Sequence, residues 1–194
     1  EPRQAPWEDG EVFGVADIHS HIFNHIAFGG GGVFHGAPYH RLGVEHALGD
    51  CEPTHGPNGE RDIVGYVFHG QGTPSVAEML PIIATGSVDA FVHHTDGYPT
   101  FTDWPNARRH GTHNVQYYRW IERAWMGGLR FIVALATGNS ALCDLAVGLG
   151  AQEAPMGCDD MGSVDRSIAA ARDMERYIDA QAGGPGKGWL RVVE

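Results

Sequence analysis

The first apolar run, Val12 to Ile18 in VFGVADIHSHIF, is rich in branched residues and alternates weakly. It breaks into two histidines spaced one apart, His19 and His21. That pattern predicts a buried strand stopping at His19. From residue 20 to 112 the periodicity dissolves, and GGGG, HGAP, HGPNGE, DGYP and DWPN signal turns. One short helix is expected there, Ser75 to Ala84, with Ser75 as cap and Pro81 working against it. A structureless link of this length is abnormal in a compact domain. Residues 20–112 therefore read as an ordered insertion or lid that folds over a site.

Helical spacing returns at Asn114. Val115, Tyr118, Ile121 and Trp125 form one apolar stripe, with Thr112 or Asn114 as cap and Gly127-Gly128 as stop. LRFIVALAT, Leu129 to Thr137, is nearly continuous in apolar residues and predicts a parallel strand covered on both faces. A second amphipathic helix follows through Val164, Ile168, Ala171, Met174 and Ile178, with Ser163 at its N-cap and GGPG at its end. WLRVVE begins another extended segment. Strand, insertion, helix, strand, loop, helix and extended segment make an α/β order, read as a single domain over residues 1–194.

Composition narrows the classes. The net charge is −11, from 13 basic and 24 acidic residues, which excludes a general phosphate-backbone binder and so a nucleic-acid partner. No apolar run reaches the roughly 18 residues of a membrane span. The three cysteines form no CxxC pair, so a structural zinc knuckle is not expected. A disulfide Cys143–Cys158 or Cys51–Cys158 is one reading, and three buried thiols another.

The chemistry begins at the histidine pair. Alternation along a strand puts His19 and His21 on one side, at the carboxyl end where sites of parallel α/β folds gather. Two imidazoles there suit zinc or another divalent metal. Asp17 is placed to orient one of them. His93, His94, His113 and Asn139 are candidates to line the substrate pocket, with His93 and His94 facing opposite ways. His25, His35, His40, His46, His55 and His69 add a case for a second metal or a polar cleft, against a His-rich surface. Asp159-Asp160 reads as helix capping. Tyr98, Phe101 and Trp104 read as an aromatic wall or as anchors for a loop, and GGGG as a flexible loop. No G-x-S-x-G elbow, P-loop or dinucleotide fingerprint is present.

The segment ADIHSHIF resembles the first-strand motif of the amidohydrolase superfamily. The resemblance implies a (β/α)8 TIM-barrel-like fold, with His19 and His21 as ligands of the more buried metal. It also implies metal-bound hydroxide that attacks an amide, ester or related bond of a small-molecule or peptide-like substrate. FGGGGVFHG, THGPNGERDIVGY, HHTDGYPTFTDWP and CDDMGSVDRSIAAARDMERYI are similar to segments of secreted bacterial dipeptidase-like proteins. That similarity implies a secreted or periplasmic location. Membrane dipeptidases proper carry His-x-Asp where this chain has His21. PHP-type phosphoesterases open with the same His-x-His, and a secreted, non-catalytic binding module is the alternative of another class. The resemblance implies further ligands on later strands, a carboxylate or lysine, two more histidines and an aspartate, yet no histidine follows Gly138. A barrel takes about 250 residues. The chain is therefore expected to be the N-terminal part of a larger barrel, partnered by the remainder or by a second copy.

Overall fold

The computed structural model describes residues 12–62, 64–65, 93–95, 97, 101–105, 111–148, 150 and 152–193. The expected helix at Ser75 to Ala84, and His69 and Tyr98, lie outside the described residues.

Two strands pair in parallel, β1 (Val15–Ser20) and β2 (Leu129–Ala134), with Val15 opposite Leu129 and Ser20 opposite Ala134. The crossover between them ends in a helix, so the unit is βαβ. Five helices are described: α1 (Val44–Leu48), α2 (Glu52–His55), α3 (Tyr118–Met126), α4 (Ser140–Gly148) and α5 (Asp160–Gln181). Short 3-10 turns at Asn24–Ile26, Phe28–Gly30 and Pro57–Gly59 complete the frame.

The barrel expectation is corrected. Among the described residues the sheet has two strands, and the fold is a small α/β domain. A barrel buries both faces of every strand, but here Val15 is 63% exposed, Ile18 74% and Phe131 50%. The two apolar runs contain the two strands, but neither strand is buried on both faces. Only part of β2, through Ile132, packs on the core. β1 runs on to Ser20, so His19 lies inside the strand rather than after it.

α3 begins at Tyr118, a turn later than Asn114, because the Asn114 Oδ1 accepts from Gln116 N at 2.7 Å and holds the chain in a local turn. Gly127 ends it as expected, donating to Arg123 O at 2.9 Å. α5 begins a turn before Ser163, since the Asp159 side chain caps it by accepting from Gly162 N. Its buried face carries Ser163, Ser167, Met174 and Ile178, while Ile168 is exposed. Small side chains there let the helix approach the turns at 24–30 closely. α4 occupies part of the stretch read as a loop, and the Cys143–Cys158 disulfide joins it to the residue before the α5 cap. Cys51 is free and buried.

The core joins distant parts of the chain. Ile22, Phe23, Ala47 and Leu48 from the insertion meet Tyr117, Tyr118, Trp120 and Ile121 of α3 and Met174 and Ile178 of α5. Phe101 packs against Trp120 at 4.9 Å between rings, as a loop anchor, and Trp104 lies on the surface under Arg123. The glycine run is packed rather than flexible. A Cβ on Gly31 would stand 2.0 Å from Glu153 O, so glycine lets these two backbones meet.

Candidate functional site

Two clusters of donors stand out, one at the end of β1 and one around α2. At the first, the Asp17 Oδ1 accepts from His19 N at 3.0 Å and fixes the backbone ahead of the pair. Alternation then brings both rings to one side. Their Nε2 atoms lie 2.9 Å apart, with ring centroids at 4.7 Å. Two nitrogens on one tetrahedral zinc stand about 3.3 Å apart, given Zn–N of about 2.0–2.1 Å. At 2.9 Å the two nitrogens stand within hydrogen-bond distance of each other, closer than that spacing.

His21 opens on a cavity of about 260 Å³ that His19, Asn24, His25, His113 and Gln116 also line. Burial pushes the His21 pKa down, with the neighbouring His19 adding to it. His25 is pushed down to about 4 by burial, and its Nδ1 has no hydrogen-bond partner. A larger cavity of about 760 Å³ shares His25, Phe34 and His35 as walls and carries Arg61 and Glu153. Both charged groups are thus on the wall of a cleft next to the histidine pair.

The second cluster is Cys51, His55, His93 and His113, one ligand atom from each lying within 4.8 Å of the others. It is the one group of three or more His, Cys, Asp or Glu among the described residues that can hold a metal ion. α2 explains half of it. Cys51 sits at its N-cap with Pro53 in the first turn, and His55 N donates to Cys51 O at 2.7 Å. Four residues apart on one helical turn, the thiol and the imidazole share a face.

Backbone pairing supplies the rest. Cys51 N donates to Thr95 O at 2.9 Å and His93 N to Asn58 O at 2.8 Å, which lays residues 93–95 beside α2. His35 N donates to Thr112 O and Asn114 N to His35 O, both at 2.8 Å, which sets His113 against the same face. The His55 and His113 rings are 4.8 Å apart, and His93 is 5.4 Å from His55 and 5.3 Å from His113.

His55 is fully buried. Its Nε2 faces Val33 O at 3.4 Å, and its Nδ1 has no hydrogen bond. The Cys51 Sγ is 3.4 Å from His93 Nε2. Beside them lies the buried Asp62, whose Oδ2 accepts from Thr112 Oγ1 at 2.8 Å and stands 3.8 Å from His55 Nδ1 and 3.9 Å from His93 Nδ1. Burial drives His55 and His113 down to about 3, so both are neutral at ordinary pH. Burial, with Asp50 and Asp62 nearby, pushes the Cys51 thiol up to about 11. A divalent cation reverses that preference, because a coordinating thiol gives up its proton. One sulfur and three imidazoles form a donor set for zinc and not for magnesium or calcium, which take oxygen.

The expected site residues thus separate. His19 and His21 meet each other, and His93 and His113 enter the second cluster, with His113 also on the cavity wall. His94 is exposed beside the half-buried His93. Asn139 caps α4, its Oδ1 accepting from Leu142 N at 2.9 Å. Cys51, His55 and Asp62 were not legible as a group, although Cys51-x3-His55 on a turn-forming stretch was their signal. Among the described residues no helix is long and apolar enough to cross a membrane. No family model, curated protein or solved structure matches this chain.

Proposed function

We propose that the protein is a metal-dependent hydrolase of amidohydrolase type, working at the carboxyl end of β1 on an amide or ester bond of a small or peptide-like substrate. The observation that carries the reading is the convergence of His19 and His21 Nε2 to 2.9 Å at the mouth of a cavity. His19 and His21 hold a divalent ion, which when bound supplies Lewis acidity and lowers the pKa of water to about 7. Asp17 orients the pair through the His19 backbone. His25, kept neutral by burial, lines the same cavity and can accept a hydrogen bond from the substrate. Arg61 on the adjoining cleft wall fits a carboxylate end of a peptide-like substrate. The disulfide supports an extracytoplasmic location, where such bonds persist.

Catalytic zinc sites generally have three protein ligands, so an ion held by two imidazoles is weakly held. The test loads the full chain with zinc and assays chromogenic amide, ester and phosphate substrates. Replacing both His19 and His21 by alanine is expected to cut hydrolysis by at least about 100-fold and to remove one readily exchanged metal equivalent. Unchanged turnover and unchanged metal content would reject the reading.

A further inference from the structure

The hydrolase reading makes no use of four donors gathered around α2, of which Cys51 and His55 are buried and His93 and His113 half-buried. We propose that Cys51, His55, His93 and His113 form a closed structural zinc centre, separate from the His19–His21 pair, which ties α2 to the stretches around His93 and His113. Three observations carry it. The donor atoms lie within 4.8 Å of one another, and the Cys51 Sγ to His93 Nε2 distance of 3.4 Å is near the roughly 3.6 Å expected of a sulfur and a nitrogen on one tetrahedral zinc. The His55 ring is fully buried with Nδ1 unpartnered, an arrangement that costs free energy unless an electron-pair acceptor stands there. The buried Asp62 carboxylate faces two of these imidazoles, its Oδ2 lying 3.8 Å from His55 Nδ1 and 3.9 Å from His93 Nδ1. Zinc with one thiolate carries a single positive charge, which the Asp62 carboxylate balances.

Four protein donors leave no position for water, which is the mark of a structural site. Asp62 is a positioning residue. Its Oδ2 lies 3.9 Å from the His93 nitrogen opposite the one that faces Cys51, and Thr112 Oγ1 and Gly65 N hold the carboxylate in place. When zinc binds, the Cys51 S–H bond breaks, the sulfur donates its electron pair to the metal, and the proton passes to solvent. The clamp ties the α2 turn to residues 93–95 and 113.

The experiment uses the full chain, purified, dialysed and analysed for metals, and then exchanged with cobalt(II). One retained zinc per chain is expected. The cobalt form should show the intense visible bands of a tetrahedral site and a near-ultraviolet sulfur-to-cobalt band. Cys51→Ser should lose the sulfur band, and Asp62→Asn should weaken zinc affinity about 10–100-fold. The double variant His19→Ala/His21→Ala should keep the retained zinc and the full spectrum. A chain with no retained metal, a cobalt spectrum lacking the sulfur band, or a Cys51→Ser variant that keeps it would each overturn the centre. Should Cys51→Ser not fold, the wild-type spectrum and metal content still decide. Loss of hydrolysis in the His19/His21 variant with the spectrum intact bears on the hydrolase alone.

Discussion

A buried imidazole opposes folding in acid, and His25 shows the sign. Its pKa falls to about 4 in the folded chain, against about 6.5 when unfolded. Above pH 6.5 neither state is protonated, and the folded chain has its full stability. Between 6.5 and 4 the unfolded chain takes up a proton that the folded chain refuses. Stability therefore drops as pH falls through that window, by on the order of 3 kcal/mol at pH 4. Urea unfolding of the metal-free chain at pH 7, 5 and 4 should show this slope, and His25→Gln should flatten it in part. Identical slopes for parent and variant would mean that His25 is not shielded. At this scale the sequence was informative wherever strand alternation or residue type alone decides. The convergence of His19 with His21 and capping at Asp159 both follow from neighbours within a few positions. The Cys51 cluster does not, because its members come from three stretches that only backbone pairing brings together.

At the scale of elements, α3 and α5 were visible through their apolar spacing, and α4 was not. Leu142, Leu145 and Val147 are exposed on α4, so its sequence carries apolar residues around the helix rather than along one stripe. What places α4 is a covalent tie. Cys143 and Cys158 are 15 positions apart, and Cys143 lies against the glycine run, where a Cβ on Gly29 would come within 2.9 Å of its sulfur. Closing a loop of that size removes unfolded-state freedom worth about 3 kcal/mol. The double substitution Cys143→Ser/Cys158→Ser should lower unfolding free energy by about that amount in non-reducing buffer. Added reductant should then have no further effect on the variant. A parent whose stability is unchanged by reductant would show that the tie contributes nothing.

The whole molecule tests what the sequence left open. Strand propensity in Val12 to Ile18 and Leu129 to Thr137 was legible, but the number of strands and the covering of their faces are properties of distant contacts. Those contacts produced a two-stranded sheet beside a core shared by three regions. Ala47 and Leu48 of α1 pack with Trp120 of α3 and Met174 of α5, so the insertion cannot leave without opening the core. Hydrogen exchange on the protein as purified reads this directly. The amides of Cys51, His55 and Arg61, bonded to Thr95, Cys51 and His55 carbonyls, should exchange with the same opening free energy as those around Met174. Met174, 1% exposed, sits far from the insertion in sequence, yet Met174→Ala should lower both sets together by about 2–5 kcal/mol. Loss of protection around α5 alone, with the Cys51 to Arg61 amides still slow, would divide the molecule into two units and break the link between core and insertion.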